Sequence, residues 1–172
     1  MLESAPQQPP PRPSTSGARV AFAVTLLVVY ATIVLVMTMW PTPSTQGREA
    51  AVDKVITVVH RSDVFDWFGY SAFEFLANVA MFVPLGFLVG LALAQRFAWT
   101  GLLLLPAFAA GIEATQMLLI SDRYGTVQDV VANSIGGWLG LLAAFLVRAM
   151  VHARDKKVIA QADWDRTWGR QR

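Results

Sequence analysis

Residues 112–140 read IEATQMLLISDRYGTVQDVVANSIGGWLG, and this stretch decides how the whole chain is interpreted. It begins inside an apolar helix, crosses a short polar turn and enters a second apolar helix. Glu113 lies in the first of these helices, and an ionisable group among lipid tails is costly unless it has polar company or a function. Four further polar residues of the stretch are expected to supply that company: Gln116, Arg123, Asp129 and Asn133.

The composition indicates a membrane protein rather than a soluble domain. Of the 172 residues, 55% are hydrophobic and only 15% are charged, whereas about 25% charged is usual for a soluble domain. The net charge of +2 is small and no stretch interleaves basic and aromatic residues, so no nucleic-acid partner is predicted. Because there is no cysteine, neither a disulfide framework nor a Cys-based zinc site can form.

Four apolar runs are each long enough to cross about 30 Å of hydrocarbon as a helix. They cover residues 20–40, 73–94, 97–120 and 127–150. These runs predict an all-α fold, a four-helix transmembrane bundle within residues 20–150. Residues 1–18 are rich in proline and predict a disordered tail, while residues 151–172 are charged and predict a basic cytoplasmic tail.

The segment between the first two runs, residues 44–70, contains a short amphipathic helix. Val55 and Ile56 share its apolar face, and Asp53 and Lys54 lie off that face. This helix could lie on the membrane surface, or it could be an ordinary loop helix packed on the bundle, and the sequence favours neither. An aromatic belt of the kind found at membrane interfaces follows at Trp67, Phe68 and Tyr70.

The basic residues beside the spans predict the orientation, because cytoplasmic loops carry an excess of Lys and Arg. With four spans both tails share one side. That side holds Arg12, Arg19, Arg96, Arg148 and the basic tail, and the other side holds Arg48, Lys54, Arg61 and Arg123. The excess predicts that both termini are cytoplasmic and that residues 41–72 and 121–126 lie outside.

This topology brings polar side chains from three spans to a similar depth near the outer surface. The second span enters from outside, the third leaves toward the outside, and the fourth enters again. The polar residues near these outer ends, together with the arginine of the turn, form the candidate binding pocket: Asn78, Glu113, Gln116, Arg123, Asp129 and Asn133.

The charged members of this set each have a functional and a structural interpretation. Glu113 could bind a cation or a headgroup or relay a proton, or it could hold helices together. Asp129 could belong to a site, or it could form a capping box with Thr126 at the start of the fourth helix. Arg123 could be the counter-ion of Glu113 or Asp129, or it could contact a phospholipid headgroup.

Reaction chemistry has little support in the sequence. Ser121 and Ser134 have no histidine nearby, so no nucleophile and base pair is predicted. Glu113, Gln116 and Asp129 could together hold a hard cation, but the signal is weak. We therefore predict no catalytic residue, no metal and no cofactor, and a chain that leans toward a non-enzyme.

Glycine and proline positions predict how the spans pack. Gly86 with Gly90, and Gly136 with Gly140, form two GxxxG pairs, and small residues let helix backbones approach closely in lipid. The second and fourth spans are therefore expected to pack through glycine stripes. Pro106 in the third span predicts a kink that frees a backbone carbonyl for another partner.

Over residues 74–147 the chain resembles the VanZ-like family of small bacterial membrane proteins. The resemblance rests on NVAMFVPLGF from Asn78, IEATQ from Ile112, and Arg123 followed by DVVANSIGGWLG from Asp129. The chain departs from the family at Thr126 and Gln128, where members often carry further aspartates. The resemblance implies an integral protein of the bacterial cytoplasmic membrane and cell envelope, and the family is named after a member associated with low-level teicoplanin resistance. It implies no particular reaction.

Three functions fit these observations. In the first, the pocket recognises part of an envelope lipid or a lipid-linked envelope precursor and so influences glycopeptide sensitivity, with membrane lipids as partners. In the second, the chain is a transport subunit that acts as an oligomer, although the apolar stretches 88–92 and 141–145 argue against a continuous polar path. In the third, the polar cluster only holds the helices of a non-catalytic scaffold together.

Overall fold

A computed structural model of the chain describes residues 17–39, 53–58, 69–119 and 126–168. Its four long helices are α1 (Gly17–Met39), α2 (Tyr70–Ala92), α3 (Gly101–Leu119) and α4 (Val127–Trp168). A 3-10 helix, Gln95–Thr100, leads into α3, and residues 53–58 form a short further helix.

All four long helices, α3 together with its 3-10 lead, are long and apolar enough to cross a membrane. No strand occurs within the residues that the structure describes. The predicted all-α bundle of four membrane-spanning helices is therefore confirmed.

Helices α2 and α4 lie against each other through their glycine stripes, as the GxxxG spacing predicts. A Cβ atom added to Gly136 would overlap the carbonyl oxygen of Val79, and one added to Gly140 would overlap that of Val83. Only glycine permits this approach of the two backbones. Because both partners advance by four residues from one contact to the next, α2 and α4 run in the same direction.

Helix α3 is joined to α4 at the proline in its first half. Pro106 has no N–H to donate to the carbonyl of Leu102, four residues earlier in the helix. The indole N–H of Trp138 in α4 donates a hydrogen bond of 3.1 Å to that carbonyl instead. The partner expected for the carbonyl freed by Pro106 is thus a side chain of the neighbouring helix.

Helix α1 contacts the rest of the bundle along one face only. Val34 belongs to the buried core, which also contains Phe82 and Leu105. The hydroxyl of Tyr30 donates a hydrogen bond of 2.9 Å to the carbonyl of Met81 in α2. Most other apolar side chains of α1 point away from the bundle and are exposed, as expected of a helix whose outer face meets lipid.

The C-terminal end of α2 is capped by a side chain of α4. The Nη2 of Arg148 donates hydrogen bonds of 2.7 Å to the carbonyl of Leu91 and 2.9 Å to that of Leu93. The last carbonyls of a helix lack partners within the helix and carry partial negative charge, so a guanidinium stabilises them. Arg148 therefore fixes the end of α2 as well as adding basic charge there.

Helix α4 is longer than the predicted span of 127–150. It continues to Trp168, and residues 151–168, for which the sequence predicts a charged tail, form a helix whose side chains are all exposed. With 42 residues at about 1.5 Å each, α4 is about 63 Å long, roughly twice the hydrocarbon thickness. Its C-terminal part therefore extends beyond the bilayer.

Several predictions concern segments outside the described residues. These are the tail over residues 1–16, the aromatic pair Trp67 and Phe68, and the polar turn with Arg123. Part of the amphipathic segment is described, since residues 53–58 are helical with Ile56 half-buried and Val55 exposed.

Candidate functional site

A polar cavity of about 230 Å³ lies at the end of the bundle where α1 and α3 finish and α2 and α4 begin. We call this end the cavity end. All four long helices contribute to the lining, which is a direct consequence of their alternating directions. Five of the six side chains predicted from the sequence line it: Asn78, Glu113, Gln116, Asp129 and Asn133. Arg123 lies outside the described residues.

Asp129 connects α4 to α2 at the wall of the cavity. Its Oδ1 accepts a hydrogen bond of 2.7 Å from the side-chain amide of Asn78. Its Oδ2 accepts one of 2.8 Å from the hydroxyl of Thr126. Both donors are neutral, so they fix the orientation of the carboxylate without cancelling its charge.

Thr126 also caps α4, as the spacing to Asp129 predicts. The backbone N–H of Asp129 donates a hydrogen bond of 3.1 Å to the threonine hydroxyl, which satisfies one of the free donors of the first turn. The carboxylate of Asp129 accepts a hydrogen bond from that same hydroxyl. In the capping box predicted from the sequence, the carboxylate would instead accept one from the backbone N–H of Thr126. The structural and the site interpretations of Asp129 therefore coexist in one side chain.

Two polar side chains of α3 turn toward the bundle rather than toward lipid. Glu113 is 6% exposed and Gln116 is 5% exposed, and the three-residue spacing places them on one helical face. The side-chain amide of Gln116 donates a hydrogen bond of 2.9 Å to the carbonyl of Thr38. That carbonyl lies near the end of α1, so this hydrogen bond joins α3 to α1 beside the cavity.

Asn133 is the most deeply buried polar side chain of the cavity. It is 2% exposed, and its Oδ1 accepts no hydrogen bond from any residue that the structure describes. An unsatisfied buried acceptor costs about 1–3 kcal/mol, so a donor at this position, from a water or a ligand, would be stabilising. Asn133 thus marks the floor of the cavity as a place that attracts a hydrogen-bond donor.

The lining is rich in carboxylates. Besides Glu113 and Asp129 it contains Glu74 of α2, and no lysine or arginine is found among its described residues. Within the described part of the chain, no three acidic, histidine or cysteine side chains are positioned to share a metal ion. The cavity is therefore suited chemically to accept hydrogen bonds from a donor-rich or positively charged group.

Several lining residues were not predicted from the sequence. Glu74 and Ser71 of α2 and Gln128 of α4 all lie near the cavity mouth, where the amide of Gln128 donates a hydrogen bond of 3.2 Å to the hydroxyl of Ser71. Glu74 precedes Asn78 by four residues, so the helical spacing of a carboxylate and an amide on one face was the available signal. It was missed because an acid at the start of a span is usually solvated.

Beneath the cavity the bundle is closed by apolar packing. Phe82 is fully buried, and Leu105 and Leu141 are each 1% exposed. These side chains belong to the same core cluster. The cavity therefore opens at one end of the bundle and does not continue through it.

Most of the chain, including these residues, matches the model of one protein family. The family model described as VanZ/LLP1 matches residues 26–148, which run from the middle of α1 to the capping arginine of α4. The match begins earlier than the resemblance over residues 74–147 and contains all six predicted pocket residues. Comparisons with curated proteins and with solved structures gave no match.

Proposed function

The chain belongs to the VanZ/LLP1 family, and from this premise we propose that its polar cavity recognises the polar headgroup of an envelope lipid or lipid-linked precursor. Binding there would influence the sensitivity of a bacterial cell to glycopeptide antibiotics of the teicoplanin type. The observation that carries the proposal is the buried Oδ1 of Asn133, which has no donor among the described residues and lies in a polar cavity at one end of a membrane bundle.

The size of the cavity supports recognition of a headgroup rather than of a whole precursor. A water molecule takes about 30 Å³ in the liquid, so a cavity of 230 Å³ has room for several waters or for one small polar group. Pockets for drug-sized ligands usually begin at about 300 Å³. A lipid whose chains stay in the bilayer and whose headgroup enters the cavity matches these dimensions.

The distribution of basic residues supports a cavity that faces outward. Arg96 precedes α3 and Arg148 caps the far end of α2, so both lie at the end opposite the cavity. An excess of arginine and lysine beside the spans is typical of the cytoplasmic side. In the proposed orientation both termini are cytoplasmic, and the cavity lies at the headgroup level of the outer leaflet of the cytoplasmic membrane.

The experiment uses a strain in which deleting this protein changes glycopeptide susceptibility. Asn133→Leu and Glu113→Gln are expected to reproduce the deletion while the membrane abundance of the protein stays normal. Thr115→Val is the matched control, because within the described residues its hydroxyl bonds the Gly111 carbonyl of its own helix and does not line the cavity. Normal susceptibility in both cavity variants, at normal abundance, would refute the proposal.

A scaffold function is the second candidate, and the hydrogen bonds across the cavity favour it. Asn78 to Asp129 joins α2 to α4, and Gln116 to the Thr38 carbonyl joins α3 to α1. A scaffold predicts that Glu113→Gln lowers abundance or stability and has no separate phenotype. The transport function has no such support, because Phe82, Leu105 and Leu141 close the bundle beneath the cavity.

A further inference from the structure

We infer that the group received by the cavity is a primary ammonium. This inference rests on the proposed function, because it names the chemistry of the headgroup that the same cavity takes. It is carried by three acceptors of the lining, namely the carboxylates of Glu74 and Asp129 and the amide oxygen of Asn133.

The charge of the described lining residues favours a cation. Glu74 and Asp129 bring two formal negative charges to the cavity from two different helices, and the described lining residues include no lysine or arginine. Asp129 accepts its hydrogen bonds from Asn78 and Thr126, and both donors are neutral, so the carboxylate keeps its charge. An anionic group such as a bare phosphate would meet like charges, whereas an ammonium would be attracted.

The unsatisfied acceptor selects for a cation that carries N–H donors. Asn133 is 2% exposed and its Oδ1 has no donor within the described residues. Since Asn133 follows Asp129 by four residues, both side chains lie on one face of α4. A primary ammonium has three N–H donors, so it can donate to the Asn133 oxygen while its positive charge is attracted by the carboxylates of the lining. A quaternary ammonium carries the same charge but has no donor for Asn133.

Two sources can present this group. One is a lipid with an ethanolamine headgroup, whose chains remain in the bilayer beside the bundle. The other is a small soluble amine that enters from the aqueous side. Both have the same chemistry in the cavity, so the experiment must compare them directly.

The test uses the full chain, purified and placed in nanodiscs, with thermal unfolding as the readout. The background lipid is phosphatidylcholine, whose headgroup has no N–H, and phosphatidylethanolamine or phosphatidylglycerol is added at equal fractions. Phosphatidylethanolamine is expected to raise the unfolding temperature, whereas phosphatidylglycerol is not. In a parallel arm, free ethanolamine is titrated into phosphatidylcholine nanodiscs, and a rise there of the same size identifies a soluble amine as the source.

Two variants assign the effect to the cavity. Glu74→Gln and Asn133→Val are each expected to weaken the apparent affinity for the amine about tenfold, the usual scale for one charge-assisted hydrogen bond. Asp163→Asn is the control, because it removes a carboxylate from the exposed end of α4 and should leave the affinity unchanged. The comparison among lipids uses the unmodified chain, so it stands even if one variant does not fold.

Two results would overturn the inference. Phosphatidylglycerol could stabilise the protein as much as phosphatidylethanolamine does, or neither lipid nor free ethanolamine could have any effect. The proposed function has a separate test, because the susceptibility of cells carrying the cavity variants does not depend on which group is bound. A susceptibility phenotype without ammonium selectivity would thus reject the ligand class and keep the headgroup site.

Discussion

The side-chain amide of Asn78 in α2 donates a hydrogen bond of 2.7 Å to the carboxylate of Asp129 in the first turn of α4. This contact lies at the cavity wall and joins the same two helices that pack through glycine farther along. Thr126 holds the other carboxylate oxygen, so the position of Asp129 is set from both sides. The wall of the cavity is consequently part of the contact that stabilises the bundle.

Removing this hydrogen bond is expected to reduce stability moderately. Asn78→Leu should lower the free energy of unfolding by about 1 kcal/mol, because interhelical hydrogen bonds in membrane proteins average about 0.6 and reach about 1.7 kcal/mol. Unfolding in detergent of Asn78→Leu, Asp129→Leu and the double variant gives the coupling energy directly. A coupling near zero would show that the two side chains act independently.

The glycine contact between α2 and α4 predicts a contrast between two alanine substitutions. Gly140→Ala should destabilise the protein by about 1–3 kcal/mol, the usual cost of overpacking, because its Cβ would overlap the Val83 carbonyl oxygen. Gly111→Ala is the matched control in α3, where an added Cβ meets no atom within 4 Å. It should be neutral or stabilising, since alanine favours a helix over glycine by up to about 1 kcal/mol.

Thermal unfolding of both variants in the same detergent is the measurement. Equal losses of stability would mean that glycine matters here for helix flexibility rather than for the distance between the backbones. Circular dichroism of the folded state should show that both variants keep their helical content.

Because Trp138 donates to the Leu102 carbonyl that Pro106 leaves without a helical donor, we expect the effects of substituting Trp138 and Pro106 on stability to depend on each other. Trp138→Phe removes the indole donor to this carbonyl and should cost about 1 kcal/mol. Pro106→Ala supplies a backbone N–H to the same carbonyl, four residues away in α3. In the Pro106→Ala background, Trp138→Phe should therefore cost much less, and unfolding of the four proteins of this cycle measures the difference. An unchanged cost in that background would contradict the assignment of Trp138 as the replacement donor.

The sequence predicted the helices and their closest contact because both depend on residue types that carry a strong signal. Long apolar runs specify the spans, and Gly136 and Gly140 specify the contact with α2, because a larger side chain would not fit. Pro106 likewise predicted that a backbone carbonyl in α3 would lack its helical donor, although the sequence did not show that Trp138 would donate to it. The family resemblance added the same spans and is confirmed by the match over residues 26–148.

The cavity was predictable only in part. Polar residues at a common depth indicated its place, but the pairing of Asn78 with Asp129 depends on how far α2 and α4 are rotated about their axes. The acceptor of the Gln116 side-chain amide is the backbone carbonyl of Thr38, and a backbone acceptor cannot be predicted from the residue type. The extension of α4 to Trp168 was missed because its charged residues suggested a tail, although charge on all sides is compatible with a helix in water.

The proposed orientation and an open cavity can be tested together by cysteine labelling, because the chain has no cysteine of its own. In intact cells, a thiol reagent that does not cross the membrane should modify Asn133→Cys, since water reaches the floor of the cavity from outside. Leu141→Cys is the buried control at 1% exposure in the apolar core and should stay unmodified. Arg96→Cys, exposed at the opposite end, should react only after permeabilisation. If Arg96→Cys were modified in intact cells, the orientation would be the opposite of the proposed one, with the cavity facing the cytoplasm. If Thr126→Cys at the cavity mouth reacted but Asn133→Cys did not, the cavity would be closed to water.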